Sequence, residues 1–250
     1  MVELIKVAPD VEVYAEIAKI AVALEGEALR YVPGSVRAKT QSTPDRMPFL
    51  PCEGFEEIAK LAVMNDALSL GMVPGSVLES GNRFEPPVPY YNELAKLATS
   101  GDFGRFGLEF VPGSVVSERS DWPTIDGYKD IAEVHVRRRP KTLEYVPLDL
   151  PGFADLAKIA IGKRANNFDK ISERISEHPA LTAERKAELV DELAAFRDRV
   201  VEIEQDPEQF EAVLDNDSDR AKLEEVRDRV VRARGVEQVA DSARKMSLNP

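Results

Sequence analysis

Apolar and polar positions recur in a fixed order behind a leading aromatic residue. Five residues open such a segment: Tyr14, Phe55, Tyr91, Tyr128 and Phe153. Three positions on stand Ile17, Ile58, Leu94, Ile131 and Leu156, and four on stand Ala18, Ala59, Ala95, Ala132 and Ala157. Seven on come Ala21, Ala62, Ala98, His135 and Ala160. Offsets 0, +3, +4 and +7 share one face of an α-helix, so each segment reads as an amphipathic helix. Its small alanines allow close approach to a neighbour. Polar positions repeat as well. Offset +2 is acidic throughout (Glu16, Glu57, Glu93, Asp130, Asp155), and offset +5 is Lys19, Lys60, Lys96, Glu133 and Lys158. An acid and a lysine three apart are neighbours on a helix surface, which makes this a solvated face laced with ion pairs.

A second signature follows the helix. Copies one to three end in Val-Pro-Gly-Ser-Val, at Val32–Val36, Val73–Val77 and Val111–Val115, and copy four has Val146-Pro147-Leu148-Asp149-Leu150. Proline fixes φ and glycine tolerates φ > 0, the pair that a type II turn needs in its middle. Proline also prevents a helix from running through. The segment before the turn, such as Leu29 to Val36, reads as a short helical turn in preference to a hairpin strand. Each unit is then a helix, a break, a short helical piece and a sharp turn.

One such helix cannot bury its apolar face alone, whereas stacked neighbours can. The leading aromatics at 14, 55, 91, 128 and 153 are 41, 36, 37 and 25 residues apart, too uneven for a regular solenoid. The expected fold is mainly α: irregular helical repeats over 13–163, an N-terminal lead-in or cap over 1–12, and a charged helical hairpin or bundle over 164–250. In that last region Pro179 ends a helix from about Asn167 to His178. Thr182 caps a longer one over about Ala183–Glu204, and Asp206-Pro207 starts a short one. Ser218 or Asp219 caps another that Gly235 ends, leaving a last piece over about Val236–Met246. Leu189, Leu193, Phe196 and Val200 form a short heptad-like seam. Phe196–Val201 and Val226–Val231 are near copies 30 positions apart (196 to 226), which suggests two similar helices packed antiparallel.

The run Ile20 to Pro33, IAVALEGEALRYVP, resembles a family of short helical repeats found in multi-repeat viral and microbial proteins. There an apolar helix runs to Gly, then Ala-Leu, then an aromatic and a small pair. Copy two keeps Ala67-Leu68 without the preceding Gly, and copies three and four keep the leading and trailing parts. The resemblance spans about 14–150 and implies no active site. It also implies membership of a larger assembly, a virus or phage particle first.

Composition narrows the function classes. The 250 residues carry a net charge of −12. That balance disfavours nucleic acid, which rewards clustered Lys and Arg. Cys52 is the only cysteine, so no internal disulfide forms. The N-terminus reads as free of a secretion signal, and no run approaches the ~20 apolar residues of a membrane span, which points to a cytoplasm or a virus particle. Chemistry is scarce. Ser35, Ser76 and Ser114 sit in three equivalent turns, so turn geometry explains them better than a nucleophile does. Asp215, Asp217 and Asp219 hold positions 1, 3 and 5 of a calcium loop, but positions 6 and 12 are Arg220 and Val226 where Gly and Glu are required. His135 and His178 have no zinc-ligand partners at the right spacing. No catalytic residue, cofactor or metal is expected.

What remains is interaction. The spacers between repeats are Pro-rich, and loops on a scaffold are where binding concentrates. Trp122, the only tryptophan, is a candidate partner anchor, with packing against the repeats as its plain alternative. Arg137, Arg138, Arg139 and Lys141 form the one basic cluster, either a solvated loop or a site for an acidic partner. The reading is a non-enzymatic structural or interaction protein whose partners are other protein subunits, itself included. An intracellular adaptor that grips a host protein through the spacers is the alternative.

Overall fold

A computed structural model of the chain describes residues 13–35, 51–77, 88–98, 107–115, 124–213 and 219–247. All regular elements among them are helical. None of these helices is long and apolar enough to cross a membrane. The chain divides into two compact units, Met1–Leu150 and Pro151–Pro250.

In the first unit each aligned aromatic begins a helix: α1 (Tyr14–Leu24), α2 (Phe55–Asn65), α3 (Tyr91–Leu97) and α4 (Tyr128–Arg138). The four aromatics are at most 3% exposed, and the alanines at +4 and +7 are buried with them. Three of the helices stop at a residue in extended conformation, Glu25, Asp66 or Arg139. A 3-10 helix follows each of these three, Gly26–Tyr31, Ala67–Met72 and Pro140–Tyr145, and the third copy has a shorter one at Leu108–Phe110. Each carries one buried leucine inward, with Leu29, Leu70, Leu108 and Leu143 at most 4% exposed. A leucine so buried contributes roughly 1.5–3 kcal/mol of transfer free energy.

The Val-Pro-Gly-Ser turns are type II. Ser35, Ser76 and Ser114 donate their N–H to Val32, Val73 and Val111 at 3.0, 3.1 and 3.0 Å. Gly34, Gly75 and Gly113 take φ of 101°, 106° and 102°, a region a side chain rarely adopts. Copy four has no glycine there, and its turn moves one residue on, with Leu150 N–H donating to Pro147 at 3.2 Å. The turn prolines also close the necks of the spacers. The carbonyls of Pro33, Pro74 and Pro112 accept from Cys52, Val88 and Ile125, each three residues before the next aromatic.

Hydroxyl groups join one copy to the next. Ser76 Oγ lies 2.5 Å from the Leu70 carbonyl and 3.0 Å from the Tyr91 hydroxyl, which lies 3.0 Å from the Phe110 carbonyl. Ser114 Oγ repeats this at 2.6 Å to Leu108 and 3.0 Å to Tyr128, whose hydroxyl reaches the Tyr145 carbonyl at 3.2 Å. The backbone closes the same joint, with Val77 N–H donating to Phe110 at 2.8 Å and Val115 N–H to Tyr145 at 2.7 Å. The serines are thus clasps between successive copies.

The second unit holds α5 (Phe153–Lys163), α6 (Asn167–Glu177), α7 (Ala183–Gln205), a 3-10 turn (Pro207–Gln209), α8 (Phe210–Val213) and α9 (Arg220–Ser247). The fifth aligned segment therefore falls in this unit, and the division lies at 150/151 where the sequence suggested 163/164. The cause is local: Lys158 and Asp155 of α5 are ion-paired to residues of α7 and α9 or the residue before it. Thr182 caps α7 by accepting from Arg185 N–H at 3.2 Å, and Asp206 caps the 3-10 turn by accepting from Glu208 N–H at 3.1 Å. The expected seam of α7 is buried and extends to Ile203. Phe168, Ile171 and Ile175 of α6, and Leu223, Val226 and Val230 of α9, complete the core.

Two expectations are corrected. Gly235 does not end a helix, because α9 continues to Ser247. A glycine stops a helix by taking the left-handed conformation, and Gly235 is not among the glycines of positive φ. In helical conformation it costs only about 1 kcal/mol relative to alanine. The pairing of α7 and α9 is also not that of an antiparallel hairpin. Arg199 meets Asp219, while Glu204 meets Arg229 and its carbonyl accepts from Arg234. These contacts ascend together along both helices, the sense of a parallel pair. The lead-in 1–12, Val36, Asp215 and Asp217 lie outside the described residues.

Candidate functional site

The helices of the first unit do not bury all their large apolar residues. At offset +6, Ile20 is 60%, Leu61 38% and Val134 37% exposed, and Leu97 is half-buried. One turn further, Leu24 of α1 and Met64 of α2 are exposed as well. In α4 the corresponding positions are Arg137 and Arg138, so the row is aliphatic at one end and basic at the other.

The helices stand side by side in chain order, as their ion pairs show. Lys19 reaches Glu57 of the next helix at 2.6 Å as well as Glu16 of its own at 3.1 Å. Lys60 reaches Glu93 of the next at 3.6 Å and Glu56 of its own at 2.6 Å. Hydrogen bonds to Glu57 and Glu16 raise the Lys19 pKa above the ordinary lysine value. The expected +2/+5 pair forms within α1 as Glu16–Lys19, whereas Lys60 of α2 takes Glu56 at +1, and both lysines also bridge to the +2 acid of the next helix.

Sequence-derived candidates separate on the structure. Trp122 lies outside the described residues. Arg137 Nε donates to Glu133 Oε1 at 2.9 Å. Arg138 and Lys141 are exposed. Arg139 is half-buried, and its carbonyl accepts from the Thr142 N–H and hydroxyl. His135 is inside, 1% exposed, so it does not share their surface. Its Nε2 lies 2.9 Å from the Ala95 carbonyl and so carries the proton, while Nδ1 has no partner. Gly107 makes room for the ring, since a Cβ there would come within 2.9 Å of it. Burial pulls the His135 pKa down to about 4, with the Arg139 charge helping and the bond to Ala95 opposing.

Asp219, once a candidate calcium ligand, is buried among cations. Lys158 Nζ donates to both its oxygens at 3.0 and 3.1 Å, and Arg199 to Oδ2 at 2.7 Å. Lys158 also meets Glu192 at 2.8 Å. Burial would lower the Lys158 pKa, but hydrogen bonds to Glu192 and Asp219 outweigh it and hold the value above the ordinary one. No group of three His, Cys, Asp or Glu residues suited to a metal stands among the described residues. A groove of about 360 Å³ beside α5 and α9 is lined by Lys163, Lys222, Arg229 and Arg232 together with Glu225 and Asp228. Asp155 holds Lys222, and Glu204 holds Arg229, so much of its positive charge is already compensated.

The signal for the +6 row was present in the sequence as an apolar residue in every copy. It was masked by the acids and lysines around it, which mark the same face as solvated. Comparison with known proteins finds no matching family model, no matching curated protein and no matching solved structure.

Proposed function

We propose that this chain is a non-enzymatic interaction protein, a subunit or accessory component of a larger assembly, built on a domain of clasped helical repeats. One observation carries the reading. The +6 residue is aliphatic in all five aligned helices, exposed or half-exposed in the four of the first unit, and only 6% exposed at Ile159 of α5. Where the chain has helices to lay against that position, it covers it. Apolar residues grouped on one face and rimmed by charge are the usual mark of a protein-docking surface. The surface suits an amphipathic helix from another protein chain. Light scattering on the purified protein tests this, with affinity capture from its source alongside. A mass above the 27.7 kDa of one chain, or a stoichiometric partner, is expected. A 27.7 kDa monomer that retains no partner overturns the reading.

A further inference from the structure

One joint between copies holds a titratable group where its neighbour holds a methyl. At offset +7 the aligned helices carry alanine, save α4, where His135 stands. Its side chain is buried and crosses the joint between α3 and α4, with Nε2 2.9 Å from the Ala95 carbonyl. Gly107 makes the space, since a Cβ there would come within 2.8 Å of Ala98 and 2.9 Å of the ring. Nδ1, the other ring nitrogen, is buried without a hydrogen-bond partner.

These surroundings suit the neutral ring and not the cation. Ala95, Ala98 and Gly107 do not titrate. Among the described residues, the charge that acts on the ring is that of Arg139, at the end of α4 itself, and no carboxylate acts on it. A second proton would sit on Nδ1, unmatched, and would place a cation in an apolar joint beside Arg139. Parting the helices gives that proton water as its partner. The joint between α2 and α3 has no such group, because Ala98 occupies the equivalent of His135. In other respects the two joints match. Each has a Ser–Tyr clasp and one valine N–H donated across, Val77 to Phe110 and Val115 to Tyr145.

We propose that the joint between α3 and α4 is an acid-operated break: uptake of a proton by His135 parts copy four from copy three, while the joint between copies two and three stays closed. Leu97 and Val134, the +6 residues of α3 and α4, stand on either side of it, so acid divides the apolar row at this point. The inference stands whether or not that row has a partner.

Linkage sets the size of the effect. Burial holds the pKa at about 4 in the closed joint, whereas parted helices leave the ring at its ordinary 6.5. Above pH 6.5 neither state holds the extra proton, and the joint is at its tightest. Between 6.5 and 4 the parted state takes the proton first, so opening grows roughly tenfold per pH unit and reaches roughly thirtyfold at pH 5.

Hydrogen exchange followed by NMR on the full chain reads both joints at once. After correction for intrinsic exchange rates, protection of the Val115 N–H should fall roughly thirtyfold between pH 7.5 and 5, and that of the Val77 N–H should fall far less. His135→Gln keeps a donor for the Ala95 carbonyl but takes up no proton, so its Val115 protection should stay level across this range. Equal losses at Val77 and Val115 overturn the inference, since acid then loosens the whole unit and not one joint. So does a Val115 protection that stays level in the parent, or one that still falls in His135→Gln.

Discussion

Two protons serve three contacts in each hydroxyl clasp. Ser76 and Tyr91 share the carbonyls of Leu70 and Phe110, and Ser114 and Tyr128 share those of Leu108 and Tyr145. A net hydrogen bond contributes about 0.5–1.5 kcal/mol, and a buried hydroxyl left without a partner costs more. Tyr128→Phe should therefore lower unfolding free energy by about 1–2 kcal/mol. In a double-mutant cycle, Ser114→Ala combined with Tyr128→Phe should cost less than the sum of the two, as chemical denaturation will show. His135 gives a second test. Its folded pKa of about 4 lies below the ordinary 6.5, so as pH falls the unfolded chain takes up the proton first. Stability should be full above about pH 6.5 and decline as pH drops toward 4. One pKa unit is 1.36 kcal/mol, so the decline should reach about 3 kcal/mol. His135→Ala, which restores the residue found at this offset in the other copies, should flatten that slope while lowering stability through the cavity it leaves.

Among the elements, the helix starts were legible because caps and breakers act locally. Thr182, Asp206-Pro207 and the leading aromatics each mark an observed boundary. Gly235 was misread because its stop depends on a conformation the residue permits but does not impose. The sense of α7 against α9 was not legible either. It is set by where the 206–219 connection returns the chain, and Asp219 is fixed by Lys158 and Arg199 from two different helices. That buried cluster is a prediction in itself. Asp219→Ala leaves Lys158, 6% exposed, with Glu192 alone and Arg199 without its carboxylate, and should cost about 1–3 kcal/mol in urea denaturation. Replacing the cluster together, Lys158→Met and Arg199→Met with Asp219→Leu, should recover much of that loss. Gly235→Ala meets no steric obstacle and should raise helicity and stabilise α9 by up to about 1 kcal/mol.

For the whole molecule, the five aromatic-led segments that align in sequence serve two settings. Four carry their +6 residue outward in the first unit, and the fifth buries it in the second. The buried side of the repeats was legible, because alanine and aromatic spacing reports burial directly. The outer row was not, because a solvated face and a docking face differ only by a few aliphatics among many charges. The joints between copies are also not alike. Phe55 stands where Tyr91 and Tyr128 bring a hydroxyl, so the first joint has no Ser–Tyr pair, and Ser35 Oγ donates to the Arg30 carbonyl within its own copy. Among the described residues that joint has apolar packing, the Lys19–Glu57 pair and the Asn65 side chain, which donates to the Val22 carbonyl at 3.1 Å. A clasped joint can be tested directly by removing its hydroxyl and pulling on the chain in optical tweezers. Tyr91→Phe should lower the force at which the second and third copies part, unpicking one stitch that the first joint never had.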